Sequence, residues 1–334
     1  MPYNQVLRAY WPDGEWVVAE GESGWNNTTR FVEADGRKWV LRIYETHRDP
    51  DKIRFEHETL LALSRQALPF RVPVPSRTTE GSTFVRLEDG SGRYACLFAF
   101  VDGARPNGLD PQTARAIGEA TGRLSIALRE IRPDIAPAYA PYYELDAAHP
   151  SCPPERVDAF CANPPDALAE WRDELAGLNA QLRHLRSLLP TFKTLPHQLI
   201  HGDVNDSNLL REPADPTRLA AILDFEFCTC DVRAMEPAVV LSGMLGEGGS
   251  QEAMSAFLKG YGSVVKLSTA EAEAIVPLIR LRKLDVFVHF LGRYLDGVDG
   301  PDVLRERIPE AVAGLDKLSR EAEGIRSLCL TCLV

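Results

Sequence analysis

No stretch of this 334-residue chain approaches the roughly 18 consecutive apolar residues that a membrane-spanning helix requires, so an integral membrane function is not expected. The opening stretch, MPYNQVLRAYWPDGEW, carries acids and prolines where a secretory leader has its apolar core. Cysteine is scarce and unpatterned. The seven residues are odd in number, no spacing reads as a four-ligand zinc site, and Cys228-Thr229-Cys230 lacks a second pair. A disulfide-built or zinc-stapled scaffold is therefore excluded, and free thiols in a reducing cytoplasm fit best. Positive charge is in deficit. Against 48 Asp and Glu stand 37 Lys and Arg, a net charge of -11 that repels polyanions. Nucleic acid and an anionic membrane surface are accordingly not expected as partners, and a small molecule is. Repeats and low-complexity tracts are also missing, and 25% charged with 45% hydrophobic residues matches an ordinary soluble globular protein, which excludes disorder, collagen and coiled coil. The length, about two typical domains, suits two lobes with a cleft. The expectation is a soluble cytoplasmic protein whose oligomeric state the sequence leaves open.

The texture of the chain changes near residue 103. Before it, short β-branched and aromatic runs at 16–19, 28–34, 38–44, 82–87 and 94–100, separated by Gly or Asp-Gly turns, predict strands. One helix, 51–63, interrupts them with Ile53, His57, Leu60 and Leu61 at helical spacing, followed by a proline-punctuated connector at 68–75. Beyond 103 the pattern predicts helices at 111–129, 165–189, 251–261, 269–295 with a break at Pro277, and 301–318. Residues 133–165, with Tyr139, Tyr142 and Tyr143, read as an irregular, Pro- and Ala-rich insertion. Within the helical part, 197–227 predicts short strands around a polar loop.

That loop carries the chemistry. It reads His201-Gly202-Asp203, four residues, Asn208, then Asp224-Phe225-Glu226 at the end of an apolar strand. Phosphoryl transfer from a nucleotide needs this set: one carboxylate to accept the hydroxyl proton, and an Asn with a second carboxylate to hold magnesium against the phosphates. Any one of these residues could equally form a turn; their joint spacing between flanking strands singles them out.

The sequence resembles the aminoglycoside phosphotransferase and choline kinase family, small-molecule kinases with a protein-kinase-like fold and a pattern H-G-D-x-x-x-x-N followed by a D-F-E or D-F-G type triplet. The resemblance implies an α+β, bilobal fold, with a small β-rich N-lobe at 1–103 ending in a hinge and a larger helical C-lobe at 104–334. It implies Asp203 as catalytic base, His201 bracing the loop, Asn208 and Asp224 as magnesium ligands, and ATP with Mg2+ as cofactors. Gly202 stands where protein kinases have Arg, no A-P-E follows Asp224, and Glu226 replaces the protein-kinase Gly; all three favour the small-molecule branch. Glu236 resembles the family's acid at a helix start, although a plain N-terminal helix carboxylate would look the same.

For the nucleotide cover, Gly21, Gly24 and Asn26 to Thr28 form a strand-loop-strand that could lay backbone N–H groups over phosphates, or simply a hairpin. Strand alternation puts Val40 and Arg42 on one face, and the match in register to the V-A-I-K of protein kinases implies that Arg42 would pair the phosphates and Val40 cover the base, unless Arg42 merely covers apolar surface with its stem. Two acids compete as its helix partner. Glu56 lies within the apolar stripe of Ile53, Leu60 and Leu63 and is preferred over Glu58, on the other side of the helix. The run 94–100 and Val101-Asp102-Gly103 resemble the family's hinge, where backbone groups from Ala99 to Val101 would meet adenine. For the acceptor, Arg282, Asp285, His289, Arg293 and Asp296 share a stripe roughly 80° wide that is either a solvated face or, if it lines the cleft, a site for a zwitterion. The expected activity is transfer of the ATP γ-phosphate to a hydroxyl of a small molecule, an amino alcohol or homoserine, since 68–85 and LFAFVDG resemble the family's homoserine kinases. The alternatives are an aminoglycoside or choline kinase, a protein Ser/Thr kinase, and a kinase-shaped binding module without activity.

Overall fold

Strands and helices form largely where side-chain periodicity places them, and a computed structural model describes them for residues 3–21, 27–46, 48–245 and 251–334. The chain divides into two compact units. One comprises 1–105, 130–138 and 208–227; the other comprises 106–129, 139–207 and 228–334. The first boundary falls two residues past the hinge expected at 103, and the first unit also takes in a hairpin from the middle of the chain.

The first unit is built on a five-stranded antiparallel sheet of β1 (Trp16–Glu20), β2 (Asn27–Ala34), β3 (Arg37–Tyr44), β4 (Val85–Arg86) and β5 (Tyr94–Ala99), in the order β1-β2-β3-β5-β4. Asp35 and Gly36, both at positive φ (53° and 69°), turn β2 into β3 with Ala34 opposite Arg37. That is the geometry of a two-residue primed turn, whose twist matches the strands. Alternation along β3 sends Leu41 and Ile43 to one face, where they pack with Val32, Ala95 and Leu97 against Val6, Leu7 and Tyr10. Those three belong to α1 (Asn4–Tyr10), a helix the sequence reading did not anticipate, so 51–63 is not the lone helix of this unit. It lacks a side-chain cap; burial of its apolar face holds it, each such side chain contributing roughly 1.5–3 kcal/mol. Val40, Arg42 and Tyr44 take the other face of β3. α2 (Pro50–Leu63) starts with Asp49 accepting from the Asp51 N–H at 2.9 Å and Pro50 in its first turn, and it buries Ile53, Glu56, Leu60 and Leu63. The strand expected at 82–87 shrinks to the two residues of β4.

The mid-chain hairpin pairs β7 (Leu209–Glu212) with β8 (Asp215–Ile222). It joins the first unit through Arg71 N–H to Ala220 O (2.9 Å), Ile222 N–H to Arg71 O (3.1 Å) and a bridge between Ala104 and Arg211.

The second unit is helical: α3 (Pro111–Arg129), α4 (Leu145–Ala148), α5 (Pro154–Ala162), α6 (Arg172–Phe192), α7 (Met235–Met244), α8 (Gln251–Gly262), α9 (Thr269–Leu295) and α10 (Pro301–Leu333). Its only paired strands among the described residues are β6 (His197–Ile200) and β9 (Thr229–Val232), and β9 leads into α7. The 133–165 insertion contains α4 and α5. The helix expected at 165–189 begins as a 3-10 turn at Asp166–Trp171 and then continues as α6. No break occurs at Pro277: α9 runs unbroken for 27 residues. A mid-helix proline costs about 3 kcal/mol, less than the burial of Ile275, Leu278, Leu281, Leu284 and Phe287 along the same helix. α10 runs fifteen residues past the expected end at Leu318 because Ile325, Cys329 and Leu333 prolong its buried stripe.

α3 and α8 approach backbone to backbone. A Cβ on Gly118 would stand 2.1 Å from the Phe257 carbonyl oxygen, and one on Gly260 would stand 2.1 Å from that of Arg115. Gly260→Ala is therefore expected to destabilise by about 1–3 kcal/mol, whereas Gly177→Ala, at an exposed position of α6 with open space around it, should stabilise by up to about 1 kcal/mol. Chemical denaturation of both variants is the check; a neutral Gly260→Ala would contradict this packing.

Candidate active site

Each unit carries its own part of the residues singled out from the sequence. In the first, Leu223 N–H donates to Asn208 O at 2.8 Å, closing the base of the β7–β8 hairpin. This bond sets Asn208 beside the segment that leads to Asp224. Asp224 sits in left-handed backbone at φ 62°, uncommon for non-Gly residues though less so for Asp and Asn, and its carboxylate Oδ1 lies 3.4 Å from Arg42 Nη2. Arg42 also donates through Nη1 to Glu56 Oε1 at 2.9 Å and places its guanidinium carbon 5.1 Å from the centre of the Phe98 ring. The acid that pairs with Arg42 is thus Glu56 and not Glu58. Burial works against the Arg42 charge, but Asp224 and Glu56 outweigh it and hold the guanidinium protonated. Burial pushes Glu56 up to about 7, Asp224 and Glu226 push the same way, and Arg42 pulls it down. The two acids reinforce Arg42, while Arg42 alone does not fully offset the burial of Glu56.

Tyr44, two residues after Arg42 on the same strand face, donates to the second Glu56 oxygen at 3.0 Å. Asn27 Nδ2 donates to Glu226 Oε2 at 2.7 Å, both side chains being buried. Tyr44 was not singled out from sequence, though alternation past Arg42 would have pointed to it; Asn27 and Glu226 were, but not as partners of each other. Gly24 and Asn26 lie outside the described residues. Val40 is half-buried on the Arg42 face. The Ala99 N–H donates to Val74 O at 3.4 Å and the Phe100 N–H to Lys38 O at 3.2 Å, so these two amides are engaged within the unit.

The second unit carries the loop of His201, Gly202 and Asp203. It leaves β6 at His201, where the His201 and Gly202 N–H groups donate to the two oxygens of Glu236, at 2.6 and 3.1 Å. Glu236 opens α7 and is fully buried. Gly202 adopts φ 78°, a conformation that disfavours the Arg of protein kinases at this position. The Asp203 N–H then donates to His201 Nδ1 at 3.1 Å. Burial pushes Glu236 above the usual carboxylate range, while His201 and the two amides pull the other way. Asp203 Oδ1 meets Arg282 Nη2 at 2.5 Å. Arg282 is itself held by the Tyr142 hydroxyl at 2.9 Å and by Asp285 Oδ2 at 3.4 Å, and Tyr142 OH donates to Gly202 O at 2.7 Å. Asp285 in turn meets His149 Nε2 at 2.7 Å.

Of the expected acceptor stripe, Arg282 and Asp285 are therefore partly or fully buried around the base loop, which is not a solvated face. His289 stacks edge-on with His149, ring centres 6.0 Å apart, and burial lowers it to about 4. Arg293 forks Asp299 at 2.6 and 3.0 Å, closing the turn after α9. Tyr142 and His149 come from the insertion and carried no periodic signal; only their contacts, at separations of 140 and 136 residues, reveal them.

Among the described residues no group of three or more His, Cys, Asp or Glu could cage a metal ion. One carboxylate and one amide oxygen, Asp224 and Asn208, fit a hard cation that completes its shell with phosphate oxygens and water, and do not fit a resident protein-only site.

Removing the Glu236 carboxylate would leave two buried N–H groups without an acceptor, at about 1–3 kcal/mol each. Glu236→Ala should therefore lose both stability in denaturant and turnover, and Glu236→Gln, which keeps one carbonyl oxygen, should lose less. Equal stability of the Ala variant and the wild type would show that this carboxylate does not brace the loop.

The Phosphotransferase enzyme family model matches residues 17–274. The chain is 25% identical over 283 residues to the homoserine kinase of Zymomonas mobilis, covering 83% of this chain and 81% of that protein. It is 27% identical over 291 residues to the homoserine kinase of Acidiphilium cryptum, covering 85% and 82%. Among solved structures, a microcompartment-associated aminopropanol kinase superposes with a TM-score of 0.75 at 20% identity, covering 96% of this chain and 97% of the other. An amicoumacin kinase in complex with AMP-PNP and Ca2+ follows the same fold with a TM-score of 0.67 at 16% identity, covering 92% and 91%. A kinase-like α+β fold, the Asp203, Asn208 and Asp224 spacing and a match over most of the chain agree: the protein belongs to the phosphotransferase enzyme family and is a small-molecule kinase.

Proposed function

We propose that this chain transfers the γ-phosphoryl group of ATP to the hydroxyl of a small amino acid of the homoserine type. The observation that carries the reading is the Arg282 cluster in direct contact with the base. A guanidinium can fork a carboxylate and Asp285 can receive an ammonium group, while Asp203 takes the hydroxyl proton. The relatives named homoserine kinase support the acceptor class. An aminopropanol kinase as structural neighbour leaves a second reading, an amino alcohol without the carboxylate, and Arg282 is the residue that favours the first.

In this reading Asn208 and Asp224 hold Mg2+, which when bound neutralises phosphate charge and orients the γ-phosphoryl group. Arg42 pairs phosphate oxygens, with Glu56 fixing its orientation; Val40 covers the adenine, and backbone groups from Ala99 to Val101 other than the Ala99 and Phe100 amides meet its edge. Asp203 accepts the acceptor's hydroxyl proton as its oxygen bonds to the γ-phosphorus and ADP departs. His201, through the Asp203 N–H, and Glu236, through the loop amides, keep the carboxylate in place. Arg282 and His289 shape the acceptor site. Arg293, committed to Asp299, ends α9 instead. The protein acts without nucleic acid or membrane, in the cytoplasm.

The test is ADP release with Mg-ATP across homoserine, 1-amino-2-propanol, choline, an aminoglycoside and a protein acceptor. Homoserine should turn over best. Asp203→Asn should lower kcat about 10²- to 10⁴-fold while still binding Mg-ATP, and Arg282→Met should erode the preference for homoserine over aminopropanol. Turnover of aminoglycosides alone, or near-normal turnover by Asp203→Asn, would overturn the reading.

A further inference from the structure

A cavity of about 250 Å³ opens in the first unit on the side of α2 that faces away from the Glu56 stripe. Arg54, Glu58 and Leu61 line it from the helix at helical spacing, and Arg77 and Phe84 line it from the segment that leads into β4. Two guanidiniums, one carboxylate and two apolar side chains in a space of this size match a carboxylate, an ammonium group and a short side chain. Arg77 spends one N–H on Gly81 O at 2.8 Å and Arg54 pairs with Asp51, both on the exposed surface, so their remaining donors face solvent or the cavity.

Thr83 and His57 complete the wall and begin a continuous chain of hydrogen bonds. Thr83 Oγ1 meets His57 Nδ1 at 2.8 Å, His57 Nε2 meets the Tyr44 hydroxyl at 3.2 Å, and Tyr44 donates to Glu56 Oε2 at 3.0 Å. Glu56 Oε1 receives Arg42 at 2.9 Å. The donors run head to tail. Since Tyr44 gives its proton to Glu56, it must accept from a protonated Nε2, which leaves Nδ1 to accept from Thr83. Burial lowers His57 to about 3, which keeps the ring neutral as this chain requires. A ligand that takes the Thr83 hydroxyl withdraws the donor at one end of a chain whose other end orients Arg42.

We propose that this cavity binds a small α-amino acid and that its occupancy is transmitted through His57, Tyr44 and Glu56 to Arg42. The binding half stands alone; the coupling half rests on Arg42 meeting nucleotide phosphates as proposed above. Isothermal titration of the full chain with each proteinogenic amino acid, and with inorganic phosphate, is made with and without Mg-AMP-PNP. At least one amino acid should bind saturably, with a Kd that changes about fivefold or more when nucleotide is present. Arg54→Met with Arg77→Met, both exposed and so neutral for folding, should weaken that binding at least about tenfold, the effect of about 1.4 kcal/mol. Tyr44→Phe should keep the binding and lose the nucleotide effect.

No amino acid binding, or binding of phosphate alone, would overturn the proposal. Binding that survives the double Met variant would belong to the acceptor site and would overturn it equally, and a nucleotide effect that survives Tyr44→Phe would overturn the relay. Failure of AMP-PNP to bind would instead strike the phosphotransfer reading, and titration without nucleotide would still decide whether the cavity is a site.

Discussion

The first unit depends on one guanidinium held between two carboxylates. Arg42 is 13% exposed and Glu56 3%, and a charge so buried is tolerable only with its partners in place, since stranding one member of such a pair typically costs about 3–5 kcal/mol. This requirement reaches through the unit. β3 must present its Arg42 face to α2, α2 must turn Glu56 inward from its apolar stripe, and the β7–β8 hairpin must close at Leu223 and Asn208 for Asp224 to supply the second carboxylate. The left-handed backbone at Asp224 is the local strain that this placement demands, in the usual range of about 1–3 kcal/mol for such a residue. Tyr44 completes the arrangement by binding the Glu56 oxygen that Arg42 leaves open.

The second unit answers a different constraint. A loop that leaves a strand and exposes a carboxylate needs its own amides satisfied, and Glu236 does this for two of them while the imidazole of His201 serves the third. Asp203 is thereby carried on a frame fixed by α7. Arg282 binds the same carboxylate from α9, and Tyr142 ties the Arg282 head to the Gly202 carbonyl. Support thus converges on the Asp203 loop from three parts of the chain.

The family and the fold class were legible, and the candidate residues could be picked out, because each rests on a local pattern: the five-residue spacing of Asp203 and Asn208, the alternation that sets Arg42 on the strand face opposite Leu41 and Ile43, the stripe that contains Glu56. Where the reading failed, distant packing decided. α1 has too few residues and no cap to declare itself, yet the sheet face of Leu41 and Ile43 holds it. Pro277 signals a break that the buried face of α9 overrides. Gly324 and the polar turns around it conceal that Ile325 continues the stripe of α10. Tyr142 and His149 lie in an insertion with no periodicity, and nothing near them in sequence announces Arg282 or Asp285 as partners. The Arg282 to Arg293 stripe reads as one face, but Asp299 claims its far end.

Coupling between Arg42 and Glu56 in nucleotide binding tests the account most directly. The dissociation constant of Mg-ATP is measured for wild type, Arg42→Met, Glu56→Gln and the double variant. Because Glu56 acts through the guanidinium it orients, the double variant should bind little worse than Arg42→Met alone, with an interaction energy of about 0.5–3 kcal/mol. Effects that add to within about 0.3–0.5 kcal/mol would mean that the pair does not act as one unit toward the phosphates, and would contradict the account.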